Sequence, residues 1–197
     1  KKSDSFAVKI FAAFIPTACV GLVFHDLVKT FLFSPISVSL ALILGGVLII
    51  TVENRNQNSQ DTGLENITIF QAIKIGFFQS IAIFPGVSRS GATIIGGLTL
   101  GLSRKTATLF SFLLAIPTMF AATVFDLAKT PELLTTESLP ALSIGFSVAF
   151  ITALLTVKLL VSFVSRHSFK PFGYYRIVFG VAILLTWATG LIDWQPL

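Results

Sequence analysis

The feature that most constrains this chain is a series of long apolar runs separated by short polar segments. Several of these runs approach the roughly 20 residues that a helix needs to cross about 30 Å of hydrocarbon. The runs that can span are Phe6–Phe24, Ile36–Val52, Thr106–Ala128, Leu139–Val164 and Tyr174–Ile192. Only 12% of the 197 residues are charged, about half the usual share of a soluble domain. The sequence therefore predicts an all-α polytopic membrane protein with a single integral membrane domain over residues 1–197.

Residues 67–102 interrupt this pattern. An apolar run, Ile67–Phe84, is followed by the polar stretch PGVSRSGAT at residues 85–93 and then by the short apolar run Ile94–Leu102. As a helix the second run would extend only about 14 Å, which is half of a bilayer. Residues 67–102 are therefore either one irregular crossing or a re-entrant helix-loop-helix hairpin that returns to its own side.

The distribution of basic residues favours the hairpin. If the segment returns, one face of the membrane carries most of the positive charge, as the positive-inside rule requires. The basic residues on that face are then Lys1, Lys2, Arg55, Arg104, Lys105, Arg166, Lys170 and Arg176. We predict five spans and one hairpin that enters from the cytoplasm, with an extracytoplasmic C-terminus. The net charge of +5 is assigned to topology and anionic lipids, and no nucleic-acid partner is expected.

The loop at residues 85–93 has the composition of an anion site. An arginine inside the membrane costs roughly 2.5–3.5 kcal/mol on insertion scales, so Arg89 requires a partner. The loop contains no acid, and a phosphate would match the guanidinium fork. The start of the next helix, near Gly91, would direct its positive dipole end to the same place. Further hydroxyls and flexible backbone come from Gly86, Ser88, Ser90 and Thr93.

A purely structural interpretation of this loop stays open at this point. Serine, glycine and proline are common in turns, and Ser88 or Ser90 could cap a helix. Arg89 could also pair with Asp126 or with another acid of the fold. The residues alone do not decide between a phosphate site and a structural turn.

Three stretches carry a family resemblance. They are Gln79–Phe84 followed directly by Pro85–Thr93, the segment Phe110–Pro117, and Phe24-His25-Asp26. Together they resemble the undecaprenyl-diphosphate phosphatase, or bacitracin resistance, family over essentially the whole chain. The resemblance implies hydrolysis of undecaprenyl diphosphate in the bacterial inner membrane, which recycles the lipid carrier for peptidoglycan synthesis and confers bacitracin resistance.

The resemblance also implies an inverted-repeat fold with two opposed re-entrant hairpins. The chain is similar to the C-terminal two-thirds of the family. The other hairpin, with two acids four residues apart followed by serines and a histidine, has no counterpart before Phe6. The matching positions in the repeat present here are Gln79 and Ile83, which cannot replace a carboxylate pair. We therefore expect this chain to hold half of the site and to need the upstream motif for activity.

The roles that the resemblance implies fall on the loop. Arg89 would hold the diphosphate and Ser88 would donate a hydrogen bond, with its role as nucleophile left open. Thr93 would contact phosphate oxygens. Substrate-binding positions that would shape or line the site are Ser90, Gly91, Gly86 and Gln79.

Other groups are expected from the same resemblance. A divalent cation, Mg²⁺ or Ca²⁺, would bind the diphosphate, with its carboxylate ligands in the upstream segment and none in this chain. His25, at a span end beside Asp26, is assigned an interfacial role rather than a catalytic one. A homodimer is the predicted assembly. The alternative function is transport or flipping of an anionic lipid or small anion, because broken helices that meet at the midplane are typical of transporters.

Overall fold

The computed structural model describes residues 5–31, 34–55, 63–130, 139–192 and 194, with the side chains of 25–31 outside that description. His25 and Asp26 therefore fall outside the described side chains. The described ranges are helical and contain no strand. The helices are α1 (Phe6–Phe31), α2 (Pro35–Arg55), α3 (Ile69–Ser80), α4 (Arg89–Thr99), α5 (Arg104–Lys129), α6 (Leu139–Val164) and α7 (Lys170–Ala188).

Five of these helices, α1, α2, α5, α6 and α7, are long and apolar enough to cross a membrane. This confirms the predicted all-α polytopic membrane architecture. α6 lies at the edge of the bundle, since Val164 is its only buried residue. Large side chains such as Phe120 and Phe146 are more than 70% exposed. Such surfaces suit lipid, because hydrocarbon tails are as apolar as the side chains themselves.

Several helix boundaries differ from those of the predicted runs, because a helix can continue beyond its apolar run. Glu53 follows the predicted run Ile36–Val52, but it lies in the last turns of α2, is 1% exposed and pairs with Arg104 of α5. α7 begins at Lys170 rather than at Tyr174. The first turn of a helix tolerates a polar residue. Pro171 fits there because an N–H group in the first turn has no acceptor within the helix, so its absence in proline costs no hydrogen bond.

α3 and α4 form an antiparallel hairpin whose two ends lie together. The Nε2 atom of Gln71, near the start of α3, donates to the carbonyl oxygen of Leu100, just after α4, at 3.3 Å. At the same end of the bundle, Lys9 Nζ donates to the carbonyl oxygen of Glu65 at 2.7 Å. The two ends of residues 67–102 thus lie together at one end of the bundle, and a re-entrant path within the membrane stays a prediction.

The helices pack in two groups, with the tip of the hairpin between them. In one group, α2 lies against α7 so closely that a Cβ at Gly46 would come within 2.6 Å of the Gly173 carbonyl oxygen. The missing side chains at Gly46 and Gly173 allow this close approach. The other group contains α1, α3, α4 and α5, and its buried centre includes Ala13, Ile75, Phe110 and Leu114.

Candidate anion-binding site

The tip of the hairpin is a tight loop between a 3-10 turn at Ile81–Ile83 and the start of α4. Gly86 has φ +86°, a conformation that side chains disfavour. A Cβ at this position would also come within 2.6 Å of the Val38 carbonyl oxygen of α2. Glycine at position 86 therefore both shapes the loop and lets it press against α2.

Ser88 caps the N-terminus of α4. Its Oγ accepts a hydrogen bond from the Gly91 backbone N–H at 3.0 Å and lies 3.3 Å from Ser90 Oγ. The capping role considered for Ser88 is thus confirmed. Ser88 Oγ is the acceptor in the cap, so its hydroxyl proton can be donated to Ser90 Oγ or to a ligand. The other N–H groups of the first turn provide a positive potential.

Arg89 is the first residue of α4, and its side chain is partly buried on the side of α5. Its Nη1 donates to the Ser111 carbonyl oxygen at 3.0 Å. The pairing with Asp126 that the sequence left open is not formed, and Arg89 makes no ion pair with any carboxylate in the described part of the chain. A cation at this depth, with no carboxylate beside it among the described residues, makes the loop a candidate anion site.

Thr93 supports Arg89 from within the helix. It is 1% exposed, and its Oγ1 lies 2.6 Å from Ser111 Oγ. The same hydroxyl is 3.1 Å from the Arg89 carbonyl oxygen and 3.0 Å from that of Ser90. Thr93 and Ser111 therefore connect α4 to α5 at the point where Arg89 is held. Direct contact between Thr93 and a phosphate stays a prediction.

Gln79 is placed elsewhere. It is fully buried between α1, α3 and α5, where Nε2 donates to Thr17 Oγ1 at 2.9 Å and to Thr118 Oγ1 at 3.2 Å. Its Oε1 has no protein partner. The structure therefore brings Ser88, Ser90 and Gly91 together at the loop but does not bring Gln79 to them.

Two cavities open beside the loop, and neither Arg89 nor Ser111 is among their lining residues. The smaller, of about 260 Å³, is lined by Ser88, Ser90 and Gly91 together with Arg176 of α7. The larger, of about 580 Å³, lies between α2 and the hairpin, and Ser88, Gly91 and Arg176 line it as well. The other residues of the larger cavity are mostly apolar and include Leu40, Leu44, Leu48, Phe78, Ile81, Phe84 and Ile95.

Arg176 and Ser111 are the residues near the loop that the sequence analysis did not assign to the site. Arg176 Nη2 donates to the Gly86 carbonyl oxygen at 2.9 Å. An arginine near the start of the last apolar run was the available signal, and it was counted for topology alone. Ser111 gave no comparable signal, because a serine inside a span commonly bonds to its own helix.

The described residues around the loop do not fit a divalent cation. Such an ion prefers several carboxylate or carbonyl oxygens. Within the described part of the chain, no group of three or more histidine, cysteine, aspartate or glutamate residues is placed to hold a metal. The polar side chains described at the loop are hydroxyls and two arginines, Arg89 and Arg176. The expected Mg²⁺ or Ca²⁺ stays a prediction.

The fold and the loop define a class: a multi-span membrane protein in which a helical hairpin carries an arginine at the N-terminus of its second helix. Comparison with known families specifies it further. The model of the family described as bacitracin resistance protein BacA matches residues 1–182. The chain belongs to this family.

Similar proteins carry a consistent name. The undecaprenyl-diphosphatase of Aromatoleum aromaticum is 48% identical over 193 residues, covering 98% of this chain and 70% of the relative. The undecaprenyl-diphosphatase of Ectopseudomonas mendocina is 48% identical over 194 residues, with the same coverage. That of Methylobacillus flagellatus is 49% identical over 187 residues, covering 92% of this chain and 70% of the relative.

Proposed function

We propose that this protein hydrolyses undecaprenyl diphosphate to undecaprenyl phosphate and inorganic phosphate in the bacterial inner membrane. The observation that carries the proposal is Arg89 at the N-terminus of α4, without a described carboxylate beside it, inside a membrane bundle. Membership of the family, and relatives named for this activity, support the substrate. The product is the lipid carrier that peptidoglycan synthesis uses again.

The reaction is a hydrolysis of the phosphoanhydride bond. The oxygen of a water molecule adds to the terminal phosphorus, and the bond from that phosphorus to the bridging oxygen breaks. The electron pair stays on the bridging oxygen, which becomes part of undecaprenyl phosphate. One proton of the water remains on the inorganic phosphate, and the other is released.

Arg89 would bind the oxygens of the terminal phosphoryl group. Its Nη1 is anchored to Ser111, so the rest of the guanidinium can direct charge-assisted hydrogen bonds at the phosphate without reorganisation. Thr93 fixes the turn of α4 that carries Arg89 and is expected to contact phosphate oxygens. Gly86, Ser90 and Gly91 shape the loop so that backbone N–H groups approach the same anion.

Ser88 fits the role of a hydrogen-bond donor better than that of a nucleophile. A serine nucleophile needs a base that accepts its proton. The hydrogen-bond partners of Ser88 Oγ are the Gly91 N–H and Ser90 Oγ, and neither accepts a proton readily. The free hydroxyl proton of Ser88 would instead be donated to a phosphate oxygen.

The larger cavity offers a place for the start of the isoprenoid tail. It begins at Ser88 and Gly91, beside the phosphate-binding loop, and continues between apolar side chains of α2 and the hairpin. An isoprenoid chain has no polar group to satisfy, so such walls accept it without penalty. The rest of the tail would lie in the lipid around the bundle.

The alternative of a transporter or flippase is not favoured, because the similar proteins are named as diphosphatases. The predicted homodimer and the cytoplasmic entry of the hairpin stay predictions. Gln79 would contribute to the site only indirectly, through the packing of α3 against α1 and α5.

Phosphate release tests the proposal. The full-length gene product is purified in detergent and given undecaprenyl diphosphate, and both inorganic phosphate and the lipid product are measured. We expect one phosphate and one undecaprenyl phosphate for each substrate consumed. Saturable binding of the lipid without any release of phosphate would overturn the hydrolase assignment and favour transport.

A further inference from the structure

Arg176 reaches the phosphate-binding loop from the other helix group. Its side chain leaves α7 and passes over Gly45, which is the central residue of α2. A Cβ at Gly45 would come within 2.7 Å of Arg176 Nη2. The absence of a side chain at position 45 therefore gives the guanidinium its path, and the charge lies level with the middle of a spanning helix.

The contacts of Arg176 occupy only part of its guanidinium group. Nη2 donates to the Gly86 carbonyl oxygen at 2.9 Å and to the Ala41 carbonyl oxygen at 3.3 Å. Nε is buried without a hydrogen-bond partner. Nη1 forms no hydrogen bond with any residue that the structure describes, and Arg176 lines both cavities beside the loop. Nη1 is therefore the donor that remains for a ligand in those cavities.

Among the described residues, no carboxylate compensates the charge of Arg176. It forms no ion pair with a described carboxylate, and carbonyl oxygens provide only part of the stabilisation that a cation needs at this depth. If Arg176 served only to tie α7 to the loop, a neutral donor would suffice at a lower desolvation cost. A full charge with a free donor is better explained by an anion that binds there.

The other groups on the same cavities have matching chemistry. Ser88 and Gly91, at the N-terminus of α4, line both cavities together with Arg176, and the remaining walls are largely apolar. A ligand that suits this place has an anionic head beside an apolar chain. Arg89 is held by Ser111 of α5, so the two arginines approach the start of α4 from different helices.

We propose that Arg176 is a second substrate-binding arginine, which contacts the diphosphate of the lipid from the side of α7 while Arg89 contacts it from the side of α5. This inference rests on the proposed function for the identity of the anion. It assigns to Arg176 a direct role in binding the diphosphate, in addition to its hydrogen bond to the loop.

The test is direct binding of a substrate analogue that cannot be hydrolysed, farnesyl methylenediphosphonate, to the full-length gene product in detergent. We expect Arg176→Gln to raise the Kd of the analogue and the KM for the substrate at least tenfold, as the loss of a hydrogen bond to a charged group predicts. Arg176→Lys keeps the charge and should recover part of the loss. Arg166→Gln, which removes an exposed arginine between α6 and α7, is the matched control and should bind like the wild type.

A purely structural role gives a different pattern. If Arg176→Gln binds the analogue with the wild-type Kd and only kcat falls, Arg176 holds the loop and does not touch the substrate. Gly45→Ala provides a second variant in case Arg176→Gln does not fold, because it keeps the arginine but obstructs its path. It should weaken analogue binding in the same direction, and unchanged binding would contradict the proposal.

Failure of the proposed function can be told apart from failure of this inference. One outcome is that analogue binding depends on Arg176 but the wild type releases no phosphate from undecaprenyl diphosphate. This result would overturn the hydrolase assignment and would still support Arg176 as an anion-binding residue. Normal phosphate release by the wild type, together with an analogue Kd that is the same in Arg176→Gln as in the wild type, would overturn only the proposal that Arg176 binds the diphosphate.

Discussion

Replacement of Arg89 by alanine is the perturbation from which the structure predicts the largest loss of activity. One nitrogen of the Arg89 guanidinium, Nη1, donates a hydrogen bond to the Ser111 carbonyl oxygen at 3.0 Å. The other nitrogens can form about two hydrogen bonds with a phosphoryl group. Each bond to a charged group contributes about 1.5–3 kcal/mol. Loss of both would raise the barrier by about 3–6 kcal/mol, which lowers kcat/KM by roughly 10²- to 10⁴-fold.

The same geometry predicts a small effect on folding. Arg89→Ala removes the hydrogen bond that Arg89 donates to the Ser111 carbonyl oxygen. The expected loss of folding free energy is about 1 kcal/mol, so the variant should be inserted into the membrane and purified in normal yield. Arg89→Lys keeps the charge but loses the planar fork, and its activity should lie between those of alanine and wild type.

The assay is phosphate release from undecaprenyl diphosphate by the full-length gene product, with the thermal unfolding temperature of each variant as a check on folding. Arg166→Ala, at an exposed position, serves as the control for the loss of one positive charge. A kcat/KM for Arg89→Ala within threefold of the wild type would refute the argument that Arg89 binds the reacting phosphate.

Three further outcomes follow from the structure and the family. Gly86→Ala introduces a side chain at φ +86° and within 2.6 Å of the Val38 carbonyl oxygen. The substitution should lower the free energy of unfolding by at least about 1 kcal/mol and lower the activity. An unchanged unfolding temperature would contradict the loop geometry. A chelator such as EDTA should abolish phosphate release, and Mg²⁺ or Ca²⁺ should restore it; full activity after exhaustive chelation would remove the cation from the account. A topology reporter fused after α7 should be read outside the cytoplasm, and a cytoplasmic signal would reverse the charge-based orientation.

Much of the scaffold could be predicted because the membrane imposes simple rules on the sequence. Spans must be long and apolar, and basic residues must collect on one side. The five apolar runs correspond to the five helices that are long and apolar enough to cross a membrane. The returning hairpin and the orientation that the basic residues indicate stay predictions.

What escaped prediction depends on which helices become neighbours. Arg176 was counted as a charge near the membrane surface, yet its side chain passes α2 and reaches the Gly86 carbonyl oxygen. The partners of the Gln79 amide, Thr17 of α1 and Thr118 of α5, could not be named from the sequence either, and its contact with the substrate stays a prediction. Periodicity and composition describe each helix by itself, and they carry no information about side chains that meet across the bundle.

Glu53 shows the same limit for a charge pair. It lies just beyond the apolar run that predicted α2, and its partner Arg104 lies on a helix far along the chain. Breaking a buried ion pair is costly, so the burial of Glu53 could not be foreseen without knowing that Arg104 lies beside it.

The central claim is that the protein cleaves a lipid diphosphate by attack of water on the terminal phosphorus. It is tested most directly by incubating the full-length gene product with undecaprenyl diphosphate in water enriched in ¹⁸O and analysing both products by mass spectrometry. The account predicts one ¹⁸O atom in the inorganic phosphate and unlabelled undecaprenyl phosphate. Label in the lipid phosphate, release of free diphosphate, or no cleavage at all would contradict it.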